Sequence, residues 1–376
     1  MVSTASSPPM GFHPHNPESW LTHMKVFYSD AHRQHNPPFE LFEGGVRVPY
    51  LENPERMERI LAVLKDQDWV EILAPIDFGL DPILAVHDAD YMDFLRTAYD
   101  EWTQEETDYE KTALMPATFP PRGCSQKPKS LLGRAGYYMF DLSAPIMEGT
   151  YQAALVSANC ALSGAKALAE GERAGFALCR PPGHHAGRSF CGGYCYLNNA
   201  AIAADWLSKT GKVAILDIDY HAGNGTQDIF YKRGDVLTIS IHADPDAAYP
   251  SFCGYVDETG AGKGSGLHRN YPLPAGTDDK RYLSTLEEAI VLIRSFVPEY
   301  LVISAGMDLY SGDPLGNFRV TREGIRKVGT RIAKLNLPTL IVMEGGYNNS
   351  ALGENITVLL GEFYKNSVTN LFGRKK

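Results

Sequence analysis

From about residue 150 the chain alternates between short continuous apolar runs and longer stretches with apolar positions every third or fourth residue. The runs at 174–179, 213–219, 236–242, 301–306 and 339–344 hold four to eight residues. Rich in Val, Ile and Leu and bounded by Gly, Asp or Pro, they predict strands buried on both faces. Between them, 151–169, 198–209, 280–296, 322–334 and 351–365 carry helical spacing. Strands alternating with helices require crossover connections and hence a parallel sheet. The first half is less regular. It predicts a strand near 24–28, a loop over 32–50, a helix over 52–65 with Met57, Ile60, Leu61 and Leu64 on one face, and a second helix over 89–102. Residues 103–135, with Pro116, Pro120, Pro121 and Pro128, and the Gly/Pro/Asp-rich 243–279 read as long loops. The expectation is an N-terminal extension, 1–23, and one α/β domain, 24–376. Its central, mostly parallel sheet carries helices on both faces, and ligands belong at the C-terminal ends of the strands.

Composition narrows the class. With 44% hydrophobic and 21% charged residues in 376, the chain can bury a sizeable core like an ordinary globular enzyme. No apolar run approaches the roughly 18 residues of a membrane span, and no charged-then-apolar leader opens the sequence, so a cytoplasmic protein is expected. The net charge of −10 argues against nucleic acid as partner and is compatible with a cationic substrate. Six cysteines are too few for a disulfide framework. Cys191 and Cys195 lack the second pair that a thiolate zinc site needs. The Gly-rich 259–266 has the wrong order of Gly and Lys for a phosphate loop. His13 and His15 in the tail lack partners.

The chemically capable side chains fall just past the strands. Asp217, Asp219 and His221 close the run at 213–219, Asp308 follows 301–306, Tyr347 follows 339–344, and His184 and His185 follow 174–179. Alternate residues of an extended strand share a face, so Asp219 and His221 can converge as metal ligands, with Asp308 as a third. Either Asp alone reads as a turn or cap residue. Together they describe three protein ligands with an open fourth position, the pattern of catalytic zinc. The adjacent histidines suit proton transfer, with Asp217 as acceptor for one of them. Tyr347, after Gly345-Gly346, suits donation to a developing oxyanion.

At these residues the chain resembles the histone deacetylase superfamily of the arginase/deacetylase fold, nearest to bacterial acetylpolyamine amidohydrolases and histone-deacetylase-like amidohydrolases. The motifs are Arg180-Pro181-Pro182-Gly183-His184-His185, Gly192-Gly193-Tyr194-Cys195-Tyr196-Leu197-Asn198-Asn199, Asp217-Ile218-Asp219-Tyr220-His221, Gly223-Asn224-Gly225-Thr226-Gln227-Asp228, Ser304-Ala305-Gly306-Met307-Asp308 and Glu344-Gly345-Gly346-Tyr347. The resemblance implies zinc on Asp219, His221 and Asp308, His184 and His185 as acid/base pair, and Tyr347 as electrophilic partner. It implies potassium on Asp217, Ser240 and the backbone of Asp219, His221 and Ile241, and Asp217 and Asn224 as partners of the histidines. It also implies a substrate tunnel at Gly193, Tyr194 and Tyr249, for an acylated amine such as an acetylpolyamine or acetyl-lysine. The segment 39–45 resembles that branch's early loop, which helps close the tunnel in a dimer, so a homodimer or higher homo-oligomer is implied. Two departures stand out: Ala222 replaces a usual second histidine, and Asn224 stands where many deacetylases carry aspartate, which should leave His185 less basic. No acid occurs around 131–134, where polyamine-specific members place one; Glu40, Glu43 and Glu106 are the alternatives. A two-manganese ureohydrolase would need carboxylates at Ala222–Asn224, which are absent. A non-catalytic binding protein fits poorly with a complete catalytic set. Hydrolysis of another small or xenobiotic amide stays open.

Overall fold

The computed structural model describes residues 23–42, 45–104 and 111–372. Residues 1–22 of the expected extension, Glu43, Glu106, His13 and His15 lie outside the described residues. Among the described residues ten strands form: β1 (Met24–Phe27), β2 (Glu40–Phe42), β3 (Val46–Val48), β4 (Val70–Leu73), β5 (Ala174–Ala177), β6 (Val213–Asp217), β7 (Val236–Ala243), β8 (His268–Leu273), β9 (Tyr300–Ala305) and β10 (Thr339–Met343). Eight of them make one sheet in the order β4-β1-β5-β10-β9-β6-β7-β8. Every pairing in it is parallel. The chain is a single α/β domain.

The two-residue period of each strand splits the core in two. In β6, Ala214 and Leu216 join one apolar cluster, with Met57 and Ile60 of helix Glu55–Leu64, Leu286 of Asp279–Phe296, Val328 of Arg322–Ala333 and Ile356 of Leu352–Phe372. Val213 and Ile215 join the other, with Phe94 of Ala89–Gln104, Ala161 of Thr150–Ala169 and Ala201 of Asn199–Ser208. Each fully buried Val, Leu or Ile contributes about 1.5–3 kcal/mol, which explains why these strands read as continuous apolar runs. The Ala-rich helix lies close to the sheet: a Cβ on Gly164 would meet Leu340 Cδ1 at 2.4 Å. Among the described residues no helix is long and apolar enough to cross a membrane.

Several elements depart from the expectation. The loop over 32–50 contains the antiparallel β2–β3 hairpin. The irregular 103–135 ends in helix Leu131–Tyr138, 243–279 contains β8, and a helix forms at Asn224–Phe230. β6 ends at Asp217, two residues early, so Asp219 and His221 sit on the connection beyond it.

A buried cluster ties the first helix to the edge where the β-strands end. Glu52 Oε1 accepts from Arg56 Nη1 (2.7 Å) and Arg180 Nε (2.9 Å). Arg56 also donates to the carbonyls of Gly346 (2.7 Å) and Glu344 (2.6 Å), and Arg180 to those of His32 and Glu52 (2.7 Å each). All three side chains are buried, so removing the one carboxylate leaves two guanidinium charges without their partner. Glu52→Ala should therefore cost roughly 3–5 kcal/mol in urea unfolding; a loss below about 1 kcal/mol would show that the carbonyls alone hold the two arginines.

Candidate active site

The strands feeding the site, β5, β10, β9 and β6, are consecutive in the sheet. Parallel pairing puts their C-terminal ends on one edge, so residues distant in sequence converge there. Backbone N–H groups aim the carboxylates. Asp219 Oδ1 accepts from His221 N (2.8 Å) and Oδ2 from Gly345 N (2.9 Å); Asp308 Oδ1 accepts from Tyr220 N (2.9 Å). The turn after β6 is set by Asp219 N donating to Asp217 Oδ1 (3.0 Å) and Ile218 N donating to the Ser304 carbonyl (2.9 Å).

His221 Nδ1 lies 3.2 Å from Asp219 Oδ1 and 3.0 Å from Asp308 Oδ2. Donors about 2.0–2.2 Å from a tetrahedral zinc stand roughly 3.3 Å apart, so this set fits the ion. Both carboxylates are buried. Burial, then the Asp219 charge, pushes Asp308 up to about 7; Asp219, despite burial, is held below the usual range by His184 and His221. Two glycines make room. A Cβ on Gly306 would stand 2.0 Å from Asp219 Oδ2, and one on Gly345 would stand 2.4 Å from Asp308 Oδ2 and 2.7 Å from Asp219 Oδ2.

The histidine rings lie 4.0 Å apart between centroids. His184 Nδ1 pairs with Asp217 Oδ2 (2.9 Å) and His185 Nδ1 with Asn224 Oδ1 (2.6 Å), leaving each Nε2 for chemistry. Their environments oppose each other. Burial disfavours the His184 cation, but Asp219 and Asp217 outweigh it and raise the group well above its ordinary value. His185 is held well below its own by burial first, then by His184 and His221, while the Asn224 contact works weakly the other way. The low basicity expected from Asn224 is thus present, with burial as its main cause. Their loop is anchored by Glu344 Oε2, which accepts from Gly183 N (2.6 Å) and His184 N (3.1 Å).

Tyr347 is held by its backbone N–H on Asp313 Oδ2 (2.6 Å), with the Arg56 guanidinium 4.8 Å from its ring centroid. Burial raises its phenol well above the ordinary value, with Arg56 opposing, so it stays a proton donor. A cavity of about 400 Å³ reaches this chemistry, lined by His185, Gly193, Tyr194, His221, Tyr249 and Tyr347. Tyr249 stands edge-on to His185 at 5.0 Å. Tyr194 adopts φ 67° and donates its hydroxyl to Glu40 Oε2 (2.7 Å).

The sequence-derived zinc, acid/base, oxyanion and tunnel residues thus come together. Ser240 is the cross-strand partner of Asp217, and its Oγ lies 2.7 Å from His242 Nδ1. Cys191 and Cys195 are free and buried. Cys195 Sγ lies near His184 and Glu344, but burial pushes its thiol well up, away from the thiolate a metal would need. Of the acids the sequence offered for the tunnel, Glu40, within the early-loop motif, lines the cavity. Sequence reasoning missed that Ser143 lines it too, that Asp141 anchors part of its wall, and that Arg56 lies against Tyr347.

Comparison with known proteins agrees with this geometry. Residues 50–363 match the histone deacetylase domain. The chain is 48% identical to acetylpolyamine amidohydrolase 1 of Pseudomonas aeruginosa, over 90% of this chain and 98% of that one. It is 44% identical to acetylpolyamine amidohydrolase of Mycoplana ramosa, with the same coverage. A crystal structure of acetylpolyamine aminohydrolase from Burkholderia pseudomallei superposes with a TM-score of 0.86 at 40% identity, covering 90% of this chain and 98% of that one.

Because the two glycines leave no space beside the carboxylates, Gly345→Ala should weaken zinc binding by roughly 10–100-fold, as loss of ligand support does. Competition with a chromogenic chelator reads this directly; wild-type affinity would mean the carboxylates can shift without cost.

Proposed function

Because the chain belongs to the histone deacetylase family, whose members are zinc-dependent deacetylases, we propose that it hydrolyses the amide of acetylated polyamines, releasing acetate and the free amine. The observation carrying this reading is Glu40, a buried carboxylate in the wall of the cavity that ends at the histidine pair. A cationic tail threading that cavity meets a carboxyl group there, whose pKa burial pushes up and the Leu51 N–H and Tyr194 hydroxyl pull back down. The names of the relatives and the net charge of −10 point the same way.

Asp219, His221 and Asp308 would hold zinc, which when bound would supply polarisation of the acyl carbonyl and acidification of the attacking water. One histidine of the pair takes the proton from that water, His184 being oriented by Asp217. The Tyr347 hydroxyl donates to the oxygen on which negative charge develops. His185, with Asn224 holding its Nδ1, returns a proton to the departing amine. The walls at Gly193, Tyr194 and Tyr249 exclude water and align the acyl group. Asp217, Ser240 and the carbonyls of Asp219, His221 and Ile241 are assigned to a structural potassium ion, consistent with the cross-strand pairing of Asp217 and Ser240. A homodimer in the cytoplasm, with the β2–β3 segment near the tunnel mouth, completes the reading; the free buried cysteines suit a reducing compartment.

Tyr347→Phe should keep its zinc and lose roughly 100-fold or more in kcat; an unchanged rate would remove Tyr347 from the chemistry. Asp308→Ala should lose tight zinc binding, measured by metal analysis after dialysis; full retention would defeat the ligand assignment. The substrate class is tested by kcat/KM for acetylputrescine, acetylspermidine, an acetyl-lysine peptide and a neutral aryl acetamide. The polyamines should lead, and Glu40→Gln should cut their advantage over the aryl acetamide about tenfold, the scale of one lost contact to a charged group. Preference for the neutral amide in wild type would overturn the polyamine assignment.

A further inference from the structure

Asp141 lies behind the tunnel wall, and both of its oxygens are fully engaged. Oδ2 accepts from Gly193 N (2.9 Å), the Tyr249 hydroxyl (2.7 Å) and Ser143 Oγ (3.1 Å); Oδ1 accepts from Ser143 N (2.9 Å). Ser143, Gly193 and Tyr249 all line the cavity, and they come from three segments far apart in sequence. Two features show why this wall needs an anchor. Gly193 and Tyr194 hold successive left-handed conformations, φ 52° and 67°, a strained run for a segment containing a tyrosine. Tyr249 packs edge-on against both His185 (5.0 Å) and His221 (5.9 Å), so its ring bounds the space beside the reacting groups. That ring projects from a long loop, and Asp141 is the acceptor that fixes its far end.

We infer that Asp141 is a positioning residue that sets the width of the acyl pocket by holding Tyr249 and the Gly193 segment at a fixed separation, and so determines which acyl chains are accepted. This rests on the reading that the cavity is the channel for an acylated amine. Burial works against the carboxylate, and its hydrogen bonds from Tyr249, Gly193 and Ser143 oppose that effect, as expected of a group retained for the donors it collects. Without Asp141 the Tyr249 hydroxyl and Gly193 N–H lose their partner, and the ring is free to swing from the histidines. Space opens for acyl groups longer than acetyl, while zinc and the histidine pair keep their own supports.

The test is the ratio of kcat/KM for acetyl- against butyryl-putrescine. Asp141→Ala should lower that ratio at least about fivefold with zinc content unchanged. Asp141→Asn should recover part of it, because the amide oxygen can keep the Tyr249 and Gly193 donors while its NH2 group faces the Ser143 N–H. Tyr249→Phe should shift the ratio in the same direction, and the Asp141→Ala/Tyr249→Phe double variant should shift it no further than Asp141→Ala alone, since both remove one interaction. A loss of general stability would lower both rates together and leave the ratio in place. Ratios within twofold of wild type in Asp141→Ala and Tyr249→Phe, or an additive double variant, would overturn the proposal. The same comparison read as Kd for acetohydroxamate against butyrohydroxamate on zinc-loaded protein needs no turnover. A wild type inactive on every acylated amine therefore defeats the functional reading, whereas unshifted binding ratios defeat this one.

Discussion

Two buried carboxylates converging on one imidazole are the constraint around which this sheet edge is built. Asp219 and Asp308 stand where burial and mutual repulsion disfavour their ionised forms together, which is why Asp308 rises to about 7. Backbone N–H groups from Tyr220, His221 and Gly345 aim the oxygens but carry only partial charge. A divalent cation is the partner of matching magnitude. Filling the site and relieving the electrostatic cost are then the same event, and protons and metal compete for the same atoms. The glycines at 306 and 345 belong to this constraint too, since any side chain there would occupy the volume the carboxylates need.

The same field organises the proton-transfer groups. His184 sees Asp219 and Asp217 and is driven toward its cationic form; His185, next to it, is held down by burial and by the His184 and His221 imidazoles, which outweigh Asn224 and Asp219. Adjacent identical side chains thus differ in basicity because Asp219 and Asp217 outweigh burial at His184, while burial and two imidazoles prevail at His185. A cation on Asp219 and Asp308 would weaken the pull on His184 and narrow that gap, so the pair is tuned by occupancy of the metal site as well as by its own partners. Tyr347 is treated differently. Burial keeps its proton on, and the Arg56 guanidinium against its ring limits how far.

What the sequence revealed follows from how strongly each element is forced. β5, β6, β7, β9 and β10 are buried between two helical layers, so their runs had to be apolar and were legible. β4 and β8 are edge strands; Val70-Glu71-Ile72-Leu73 and His268-Arg269-Asn270-Tyr271-Pro272-Leu273 carry polar residues and a proline that an edge tolerates. Helix Leu131–Tyr138 holds two glycines because a Cβ at Gly136 would meet the Thr118 carbonyl at 1.8 Å, a tertiary demand that erases the local helix signal. The residues read from the sequence as metal ligands and acid/base pair converge because parallel strands deliver them to one edge in a fixed pattern. Asp141 was not legible, since it acts through a partner more than a hundred residues away, and Glu40 was only one of three candidate acids for the same reason.

Those two acids complete the logic of the tunnel. Both tyrosines of the wall are tethered by a buried carboxylate, Tyr194 by Glu40 and Tyr249 by Asp141, at the same 2.7 Å. The two tethers differ in what else the acid does. Asp141 spends its lone pairs on four donors of the protein, which makes it part of the wall. Among the described residues Glu40 accepts from only Tyr194 and the Leu51 N–H, and it faces the cavity. A carboxylate has about four acceptor positions, so Glu40 keeps capacity for a ligand and Asp141 does not. The division follows from hydrogen-bond counting alone: one acid fixes the shape of the channel, and the other is left with open acceptor positions on the path a cationic tail would take.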